Sequence, residues 1–254
     1  MKTRIINGIL VGIITVIALY FGGYILDGVL VFISVCAAYE FIKIRKQNFN
    51  IGLFVLMLAT ILIIIFKHEL ANIVSLLLLV ILLAWSLFDE NESFSEMTPV
   101  FLMSLLIGWA FYFIRYIQHV NKWLIGYVFV ITYITDVFAY FVGLKFGKHK
   151  LIPRISPKKT IEGSIGGWLF GFVLSFLWAT YFNYFGHERY IYLISSLILP
   201  IVSQIGDLVF SMIKRHYGVK DFSNLIAGHG GILDRLDSNI FCTTIFGAIL
   251  LILL

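Results

Sequence analysis

The sequence predicts an all-α protein, a polytopic membrane helical bundle. Of its 254 residues, 60% are hydrophobic and only 13% are charged, whereas an ordinary soluble domain has roughly 45–50% apolar and about 25% charged residues. With a mean hydropathy of +0.97, the apolar side chains cannot all be buried in one water-facing core, so lipid must solvate much of the surface. The composition therefore argues against a soluble globular protein.

Apolar stretches of spanning length predict roughly nine transmembrane helices, because a helix needs about 17 to 25 apolar residues to cross the hydrocarbon core. The predicted spans are residues 5–22, 25–42, 51–66, 70–88, 99–117, 123–144, 164–186, 190–213 and 238–254. The stretch 51–66 is short, and the first two spans form a hairpin around Gly22 and Gly23, so tilted or interfacial helices are the alternative there. The prediction is therefore seven to nine spans.

Basic residues lie mostly on one side of the predicted bundle. If the amino terminus is cytoplasmic and the chain changes side at each span, most of the 19 lysines and arginines fall on the cytoplasmic side, as the positive-inside rule requires. Two predicted loops, 145–163 and 214–237, contribute much of this bias. The net charge of +5 could also suggest nucleic acid, but such binding needs a basic face on a soluble surface, so we expect no nucleic-acid partner.

The segment from Gly206 to Asp237 concentrates polar residues that could carry chemistry. At 100° per residue, one face of the predicted eighth helix, near its cytoplasmic end, carries a carboxylate, a hydroxyl and two cations. These residues are Asp207, Ser211, Lys214 and Arg215. Carboxylates beside lysines and arginines suit a polyphosphate and its Mg²⁺, because carboxylates hold the metal and cations neutralise phosphate charge. Capped helix ends with interfacial lysines are the alternative, although polar groups at membrane depth are costly.

A second polar block runs from Asp136 to Gly163. Thr132, Asp136 and Tyr140 recur at intervals of four and form a polar stripe in the predicted sixth helix. An intramembrane carboxylate indicates a functional site by default, and a hydrogen-bonding role inside the bundle is the alternative. Further along, glycines recur every four residues, which is more typical of close helix packing than of ligand binding. These glycines are Gly163, Gly167 and Gly171.

The loop of this second block contains a predicted helix start. Ser156 can cap a helix whose first residue is Pro157. Lys158 and Lys159 would then lie beside the positive end of the helix dipole, which is unfavourable unless an anion binds between them. We expect a phosphate or a lipid headgroup there, with an ordinary positive-inside loop as the alternative.

Both blocks resemble the signature of the phosphatidate cytidylyltransferase (CDP-diacylglycerol synthase) family. The first block matches Ser-x-x-Lys-Arg, Lys-Asp, x-His-Gly-Gly and Asp-Arg-x-Asp at the family's spacing. Its matching residues are Ser211, Lys214, Arg215, Lys220, Asp221, Ser223, His229, Gly230, Gly231, Asp234, Arg235 and Asp237. The second block matches D-x-x-A-Y-x-x-G-x-x-F-G-K-H-K-L, followed by S-P-K-K-T-x-E-G. The chain departs from the family at Ala227, where proline is usual, and this removes a φ restraint from the loop.

The resemblance implies both a reaction and residue roles. The phosphate of phosphatidate would attack the α-phosphorus of CTP and give CDP-diacylglycerol and pyrophosphate, with Mg²⁺ as cofactor and a second, monovalent cation left open. The expected metal ligands are Asp207, Asp234 and Asp237, with Asp136 behind them. The expected catalytic residues are Asp207, Asp234, Lys214, Arg215, Lys220 and His229. The expected substrate-binding residues are Ser211, Asp221, Ser223, Gly230, Gly231, Arg235, Lys158, Lys159 and Asp136.

The resemblance also implies an organisation for the chain. Residues 1–122 would form amino-terminal transmembrane helices that serve as a scaffold and a dimerisation surface, and residues 123–254 would form the catalytic helices with the cytoplasmic motif loops. We expect a homodimer in a prokaryotic-type inner (plasma) membrane, with its active site facing the cytoplasm. Its partners would be CTP, phosphatidate and membrane lipid.

Two other functions remain open. A CTP-dependent polyprenol kinase would use the same nucleotide but transfer its γ-phosphate to an alcohol, and would release CDP instead of pyrophosphate. A transporter would use Asp136 and Asp207 as proton or cation sites. Against a transporter, the sequence shows no inverted repeat with paired broken helices, and the charges cluster on one side.

Overall fold

Long apolar helices make up most of the protein. The computed structural model describes residues 12–13, 15–45, 49–182, 189–225 and 230–253. The helices in these ranges are α1 (Gly23–Ile44), α2 (Ile51–Phe66), α3 (Ala71–Phe88), α4 (Phe94–Val120), α5 (Lys122–Phe146), α6 (Ile161–Phe182), α7 (Arg189–His216) and α8 (Leu233–Leu253). A 3-10 turn, His68–Leu70, precedes α3. An antiparallel hairpin of β1 (Lys150–Ile152) and β2 (Ser156–Thr160) connects α5 to α6.

These helices confirm the predicted membrane bundle. Among the described residues, seven helices are long and apolar enough to cross a membrane, namely α1, α3 with its preceding turn, and α4 to α8. The shorter α2 has 16 residues. The predicted span 5–22 lies partly outside the described residues; residues 15–21 are helical. Gly22, with φ of 61°, separates them from α1, whose first residue, Gly23, has φ of 52°; both conformations disfavour a side chain.

Asparagine side chains fix where two of the helices begin. Asn50 Oδ1 accepts hydrogen bonds from the N–H groups of Gly52 (3.0 Å) and Leu53 (3.2 Å) at the start of α2. Asn121 Oδ1 accepts one from the N–H of Trp123 (3.0 Å) at the start of α5. Such caps satisfy N–H groups that have no partner within the helix, so the connectors before α2 and α5 end at these asparagines.

The hairpin between α5 and α6 corrects one prediction. The expected helix start at Ser156 and Pro157 is wrong, because both residues lie in β2 and Ser156 pairs with Ile152 of β1. Proline has no N–H to donate, but a two-stranded hairpin tolerates it because each strand has an unpaired edge. Backbone pairing across the hairpin therefore outweighs the local preference of Ser-Pro for a helix start.

The true start of α6 is set by a threonine. Thr160 Oγ1 accepts a hydrogen bond from the N–H of Gly163 (3.1 Å), the pattern of a helix cap, and α6 begins at Ile161. Lys158 and Lys159 consequently lie on β2, ahead of the helix, and not in its first turn as expected.

The chain divides into two compact units. The first unit consists of Met1–Arg115 and Asp221–Asp234, and the second of Tyr116–Lys220 and Arg235–Leu254. The signature segment is thus split between them, since the loop 221–234 groups with the amino-terminal helices. The expected division lay between residues 122 and 123, and nothing in the sequence indicated this separate grouping of the loop.

Ion pairs join distant parts of the first unit. Arg115 of α4 donates from Nε to Asp27 Oδ1 of α1 (2.6 Å) and from Nη1 to the carbonyl oxygen of Ile65 in α2 (2.9 Å). Buried Arg45 pairs with Glu92, which precedes α4. A charge in apolar surroundings is costly unless it is paired, so these contacts stabilise one arrangement of α1, α2 and α4.

Glycines allow α6 to approach α5 closely in the second unit. A Cβ atom on Gly163 would lie 2.6 Å from the carbonyl oxygen of Ala139, and one on Gly167 would lie 2.8 Å from that of Thr135. A Cβ on Gly171 would lie 2.5 Å from Thr135 Oγ1. The three glycines therefore face α5, two of them its backbone, and the packing interpretation of their spacing is confirmed.

Replacing Gly167 with alanine should destabilise the protein. The added methyl group overlaps the Thr135 carbonyl, and overpacking of this kind typically costs about 1–3 kcal/mol. We expect the melting temperature of the detergent-purified protein to fall by several degrees. Gly126→Ala on α5 is the control, because nothing lies within 4 Å of its Cβ position and alanine favours a helix. Equal melting temperatures for the two variants would contradict close packing at Gly167.

Candidate active site

Three carboxylates from separate helices come together in the second unit. Asp136 lies on α5, Asp207 on α7 and Asp237 on α8. The negative charges of Asp136 and Asp207 are close enough to repel each other, and the charge of Asp237 is repelled by both. We call these three residues, together with Lys159 and Lys214, the carboxylate–lysine cluster.

Two lysines offset the negative charge of this cluster. Lys159 Nζ lies 2.6 Å from Asp207 Oδ2, and the two side chains are 27% and 29% exposed. Lys159 also interacts with Asp136. Lys214 is buried, at 8% exposed, and interacts with Asp237. Asp136 is exposed. It forms the accessible part of the cluster together with the Lys159–Asp207 pair, where a phosphate could replace Asp207 as the partner of Lys159, or a cation could replace Lys159 as the partner of Asp207.

Close helix packing positions the cluster. Gly206 precedes Asp207, and a Cβ on it would lie 3.0 Å from the carbonyl oxygen of Asp237, so α7 and α8 meet beside the two carboxylates. Thr132 Oγ1 donates a hydrogen bond to Asn239 Oδ1 (3.1 Å) and ties α5 to α8. The polar stripe that the sequence placed on α5 therefore contributes one helix contact through Thr132 and one cluster member through Asp136.

The donor chemistry of the cluster fits Mg²⁺. Mg²⁺ prefers oxygen ligands and usually takes one or two carboxylates, with waters and substrate phosphates completing its six positions. Within the described ranges, no group of three or more His, Cys, Asp or Glu side chains is arranged to hold a metal ion. Asp207 with one neighbouring carboxylate therefore suits a site shared with phosphates better than an all-protein cage. The ligand set of Asp207, Asp234 and Asp237 stays a prediction, since Asp234 belongs to the other unit.

One carboxylate of the signature loop 221–234 forms hydrogen bonds with backbone N–H groups near both ends of the loop. Asp234 Oδ2 accepts hydrogen bonds from the N–H groups of Phe222 (2.8 Å) and Gly231 (2.9 Å). Gly230 has φ of 87°, and a Cβ there would lie 3.0 Å from Asp234 Oδ2. Gly230 thus has structural reasons to be glycine, and Asp234 joins the two ends of the loop.

A residue that the motifs did not include holds the same loop. Glu40 of α1 is fully buried. Its Oε1 accepts hydrogen bonds from Ser223 Oγ (2.6 Å) and the N–H of Ile232 (2.8 Å), and its Oε2 accepts one from the N–H of Leu233 (2.9 Å). Its one signal in the sequence is a carboxylate inside the predicted span 25–42, the same signal that singled out Asp136.

Comparison with known proteins decides the family. The model of the cytidylyltransferase family matches residues 2–253. The chain belongs to this family. It is 34% identical over 257 residues to the phosphatidate cytidylyltransferase of Bacillus subtilis (strain 168), covering 95% of this chain and 94% of that protein. It is 43% identical over 173 residues to that of Staphylococcus aureus (strain COL), covering 67% of this chain and 66% of that protein. The resemblance in the two motif blocks is confirmed.

The other expected site residues of this cytidylyltransferase family member lie as follows. Ser211 Oγ donates to Asp207 Oδ1 (3.3 Å). Arg215 is exposed and donates from Nη1 to the carbonyl oxygen of Val219 (2.8 Å), beyond the end of α7. His229, like Ala227, lies outside the described residues. Four more of the expected site residues are also exposed, namely Lys158, Lys220, Asp221 and Arg235.

An apolar groove of about 350 Å³ lies between β1, α6 and α7 in the second unit. Gln204 and Leu208 of α7 line it, so the groove adjoins the turn of α7 that carries Asp207. Its two polar residues satisfy each other, since Ser164 Oγ donates to Gln204 Oε1 (2.5 Å) and Gln204 Nε2 to the Ser164 carbonyl oxygen (3.1 Å). The remaining lining residues are Leu151, Ile152, Ile165, Trp168, Ile201 and Ile205.

Asp234 variants should separate its contribution to the loop from its charge. Asp234→Ala leaves the buried N–H groups of Phe222 and Gly231 without their acceptor, which costs roughly 1–3 kcal/mol for each unsatisfied group. Asp234→Asn keeps one oxygen that can accept both hydrogen bonds. We expect the melting temperature in detergent to fall clearly for the alanine variant and little for the asparagine variant. Two equally stable variants would show that these hydrogen bonds do not stabilise the loop.

Proposed function

We propose that this chain is a phosphatidate cytidylyltransferase, which converts CTP and phosphatidate into CDP-diacylglycerol and pyrophosphate. The observation that carries the proposal is the carboxylate–lysine cluster, formed by residues from both motif blocks in a chain of this family. The match over 95% of the chain to a relative with that name supports it. The apolar helices and the bacterial relatives support a plasma-membrane location.

The chemistry requires positioning and charge stabilisation more than a side-chain nucleophile. A phosphate monoester has its second pKa near 6, so the phosphatidate phosphate is largely dianionic at neutral pH and is itself the nucleophile. Its oxygen forms a bond to the α-phosphorus of CTP, and the bond from that phosphorus to the bridging β-phosphate oxygen breaks. The products balance as CDP-diacylglycerol and pyrophosphate. Lys159 and Lys214 would stabilise the negative charge of the phosphates.

Mg²⁺ belongs to the proposal as the cofactor. Asp207 is the first-choice ligand, and its electrostatic grouping with Asp136 and Asp237 supports a metal at this position. When bound, Mg²⁺ would neutralise part of the triphosphate charge. Asp234 as a further ligand and a second, monovalent cation remain parts of the proposal that rest on family resemblance.

The apolar groove would accept one acyl chain of phosphatidate. The groove adjoins the turn of α7 that carries Asp207, where the lipid phosphate would lie. The lining is apolar because Ser164 and Gln204 bond to each other, and burial of each CH₂ contributes about 0.8 kcal/mol. This geometry supports an amphipathic substrate with its phosphate at the cluster and a chain between α6 and α7.

Orientation and assembly complete the proposal. The basic loops support an active site that faces the cytoplasm, where CTP is available. The homodimer is carried over from the family resemblance, and its test is the oligomeric state of the purified protein in lipid nanodiscs.

The decisive experiment is incubation of the purified protein with labelled CTP, phosphatidate and Mg²⁺. CDP-diacylglycerol together with pyrophosphate supports the proposal. Release of CDP with phosphorylation of an added polyprenol would identify a kinase. Absence of any turnover, with cation flux in proteoliposomes, would identify a transporter.

Asp207→Asn should abolish turnover while the protein remains folded. The variant keeps the size of the side chain but loses the charge that pairs with Lys159, and loss of a group that stabilises transition-state charge typically costs about 10²–10³ in kcat. The measurement is kcat in detergent with the melting temperature as a folding check. Asp234→Asn should also be inactive if it binds the metal. Near-normal turnover in either variant rejects that residue as a ligand.

Lys159→Ala should mainly raise the KM for one phosphate-bearing substrate, because it removes a cation from the accessible side of the cluster. Lys145→Ala is the control, since Lys145 is an exposed lysine at the end of α5 outside the cluster. Unchanged kinetics in Lys159→Ala would show that this lysine does not bind substrate and contributes only to the positive charge that sets the membrane topology.

Ile205→Trp should block the groove and raise the KM for long-chain phosphatidate by about tenfold, which corresponds to roughly 1.4 kcal/mol, with the KM for CTP unchanged. Leu193→Trp is the matched control, because Leu193 is an exposed residue of the same helix that does not line the groove. A similar effect of both variants, or of Ile205→Trp on CTP, would contradict acyl-chain binding in the groove.

A further inference from the structure

Glu40 is a buried carboxylate that the proposed chemistry does not use. It lies in the apolar helix α1 with none of its surface exposed. A charged group in such surroundings is expensive and is retained where it has specific partners. Glu40 accepts hydrogen bonds from three groups of the loop in the first unit, namely Ser223 Oγ and the N–H groups of Ile232 and Leu233.

Glu40 contacts the loop on both sides of its glycine pair. Ser223 lies near the start of the loop, and Ile232 and Leu233 lie where it enters α8. The first N–H groups of a helix have no partner within the helix, and a carboxylate there is favoured by the helix dipole. Glu40 therefore caps α8 from another helix and, through Ser223, fixes the opposite side of the loop at the same time.

Gly231 fits the same arrangement. A Cβ atom on this residue would lie 2.6 Å from Glu40 Oε2 and 2.7 Å from Oε1. The carboxylate thus occupies the space that any other side chain would need. Glycine at this position is required by Glu40, in addition to any contact with a substrate.

We propose that Glu40 is a positioning residue for the signature loop. It holds Ser223 and the start of α8 in the conformation in which the loop residues serve the reaction, and it does not touch the reacting atoms. This inference rests on the proposed function for its effect on turnover, but the contacts themselves can be tested without catalysis.

The first test compares Glu40→Gln with Glu92→Gln in the purified full-length protein. Glutamine presents an NH₂ group where Glu40 has an acceptor, so at least one loop hydrogen bond is lost. Glu92 is a second buried carboxylate of the same unit, and its hydrogen bonds go to Arg45 and Asn50. Both variants remove a buried charge, but of the two residues only Glu40 has these hydrogen bonds to the loop.

We expect Glu40→Gln to lower kcat by roughly 10- to 100-fold, the effect of a small misplacement of reacting groups, with the KM for CTP within about twofold of wild type. Amide hydrogen exchange in the peptide containing Ile232 and Leu233 should quicken by about tenfold or more. Glu92→Gln weakens the pairing with Arg45 at the end of α1, so it should lower the melting temperature, but it should not quicken exchange in that peptide or lower kcat to the extent that Glu40→Gln does. Wild-type kcat and exchange in Glu40→Gln would overturn the proposal, as would a lowered kcat with unchanged exchange.

A double-mutant cycle tests the contact with Gly231. Gly231→Ala should impair kcat strongly when Glu40 is present, whereas in Glu40→Ala the space for the methyl group is open. The loss of kcat in the double variant should therefore be smaller, by about fivefold or more, than the product of the losses in the two single variants. Independent, multiplicative effects would overturn the proposed contact.

Two further measurements cover a Glu40→Gln variant that does not fold and a wild-type protein that lacks the proposed activity. If Glu40→Gln does not fold, Ser223→Ala, which removes one hydrogen bond to the carboxylate, must quicken the same amide exchange, and unchanged exchange overturns the proposal. If the wild-type protein makes no CDP-diacylglycerol, the proposed function fails. The exchange comparison of Glu40→Gln with Glu92→Gln then decides by itself whether Glu40 holds the loop.

Discussion

A charge inside an apolar helix bundle has to be paired, and this constraint organises both units of the protein. Arg115 meets Asp27 in the first unit, and Lys159 meets Asp207 in the second. Glu40 meets no lysine or arginine in the contacts that hold the loop and is satisfied there by N–H and O–H donors. Because each unpaired charge would be costly, the pairing of these residues restricts the arrangements available to the helices that carry them.

Small residues let the helices that carry the three cluster carboxylates lie close together. Glycines on α6 bring its backbone against α5, and Gly206 lets α7 approach α8 beside Asp207. Side chains as short as aspartate can meet across helices only where the helix axes lie close together. The same glycines therefore serve packing and the cluster, and loss of one of them should affect stability and chemistry together.

Much of the fold could be predicted from the sequence, because apolar length alone defines a spanning helix. The polar members of the cluster were also predictable, since charges in apolar segments stand out. The β-hairpin was not, because Ser156 and Pro157 favour a helix start locally and only pairing with β1 overrides that preference. Glu40 was visible as a charge in a span, but its partners lie far along the chain, and no local pattern connects a residue of α1 to the start of α8.

The signature contains acidic residues of two physical kinds. Asp207 faces the ammonium group of Lys159, so its charge is part of its interaction and an amide cannot replace it. Asp234 accepts hydrogen bonds from backbone N–H groups, and an amide oxygen can do the same. A substitution of aspartate by asparagine therefore has a different meaning at the two positions. At Asp207 it removes an electrostatic partner, whereas at Asp234 it preserves the loop and isolates whatever the charge itself contributes to catalysis.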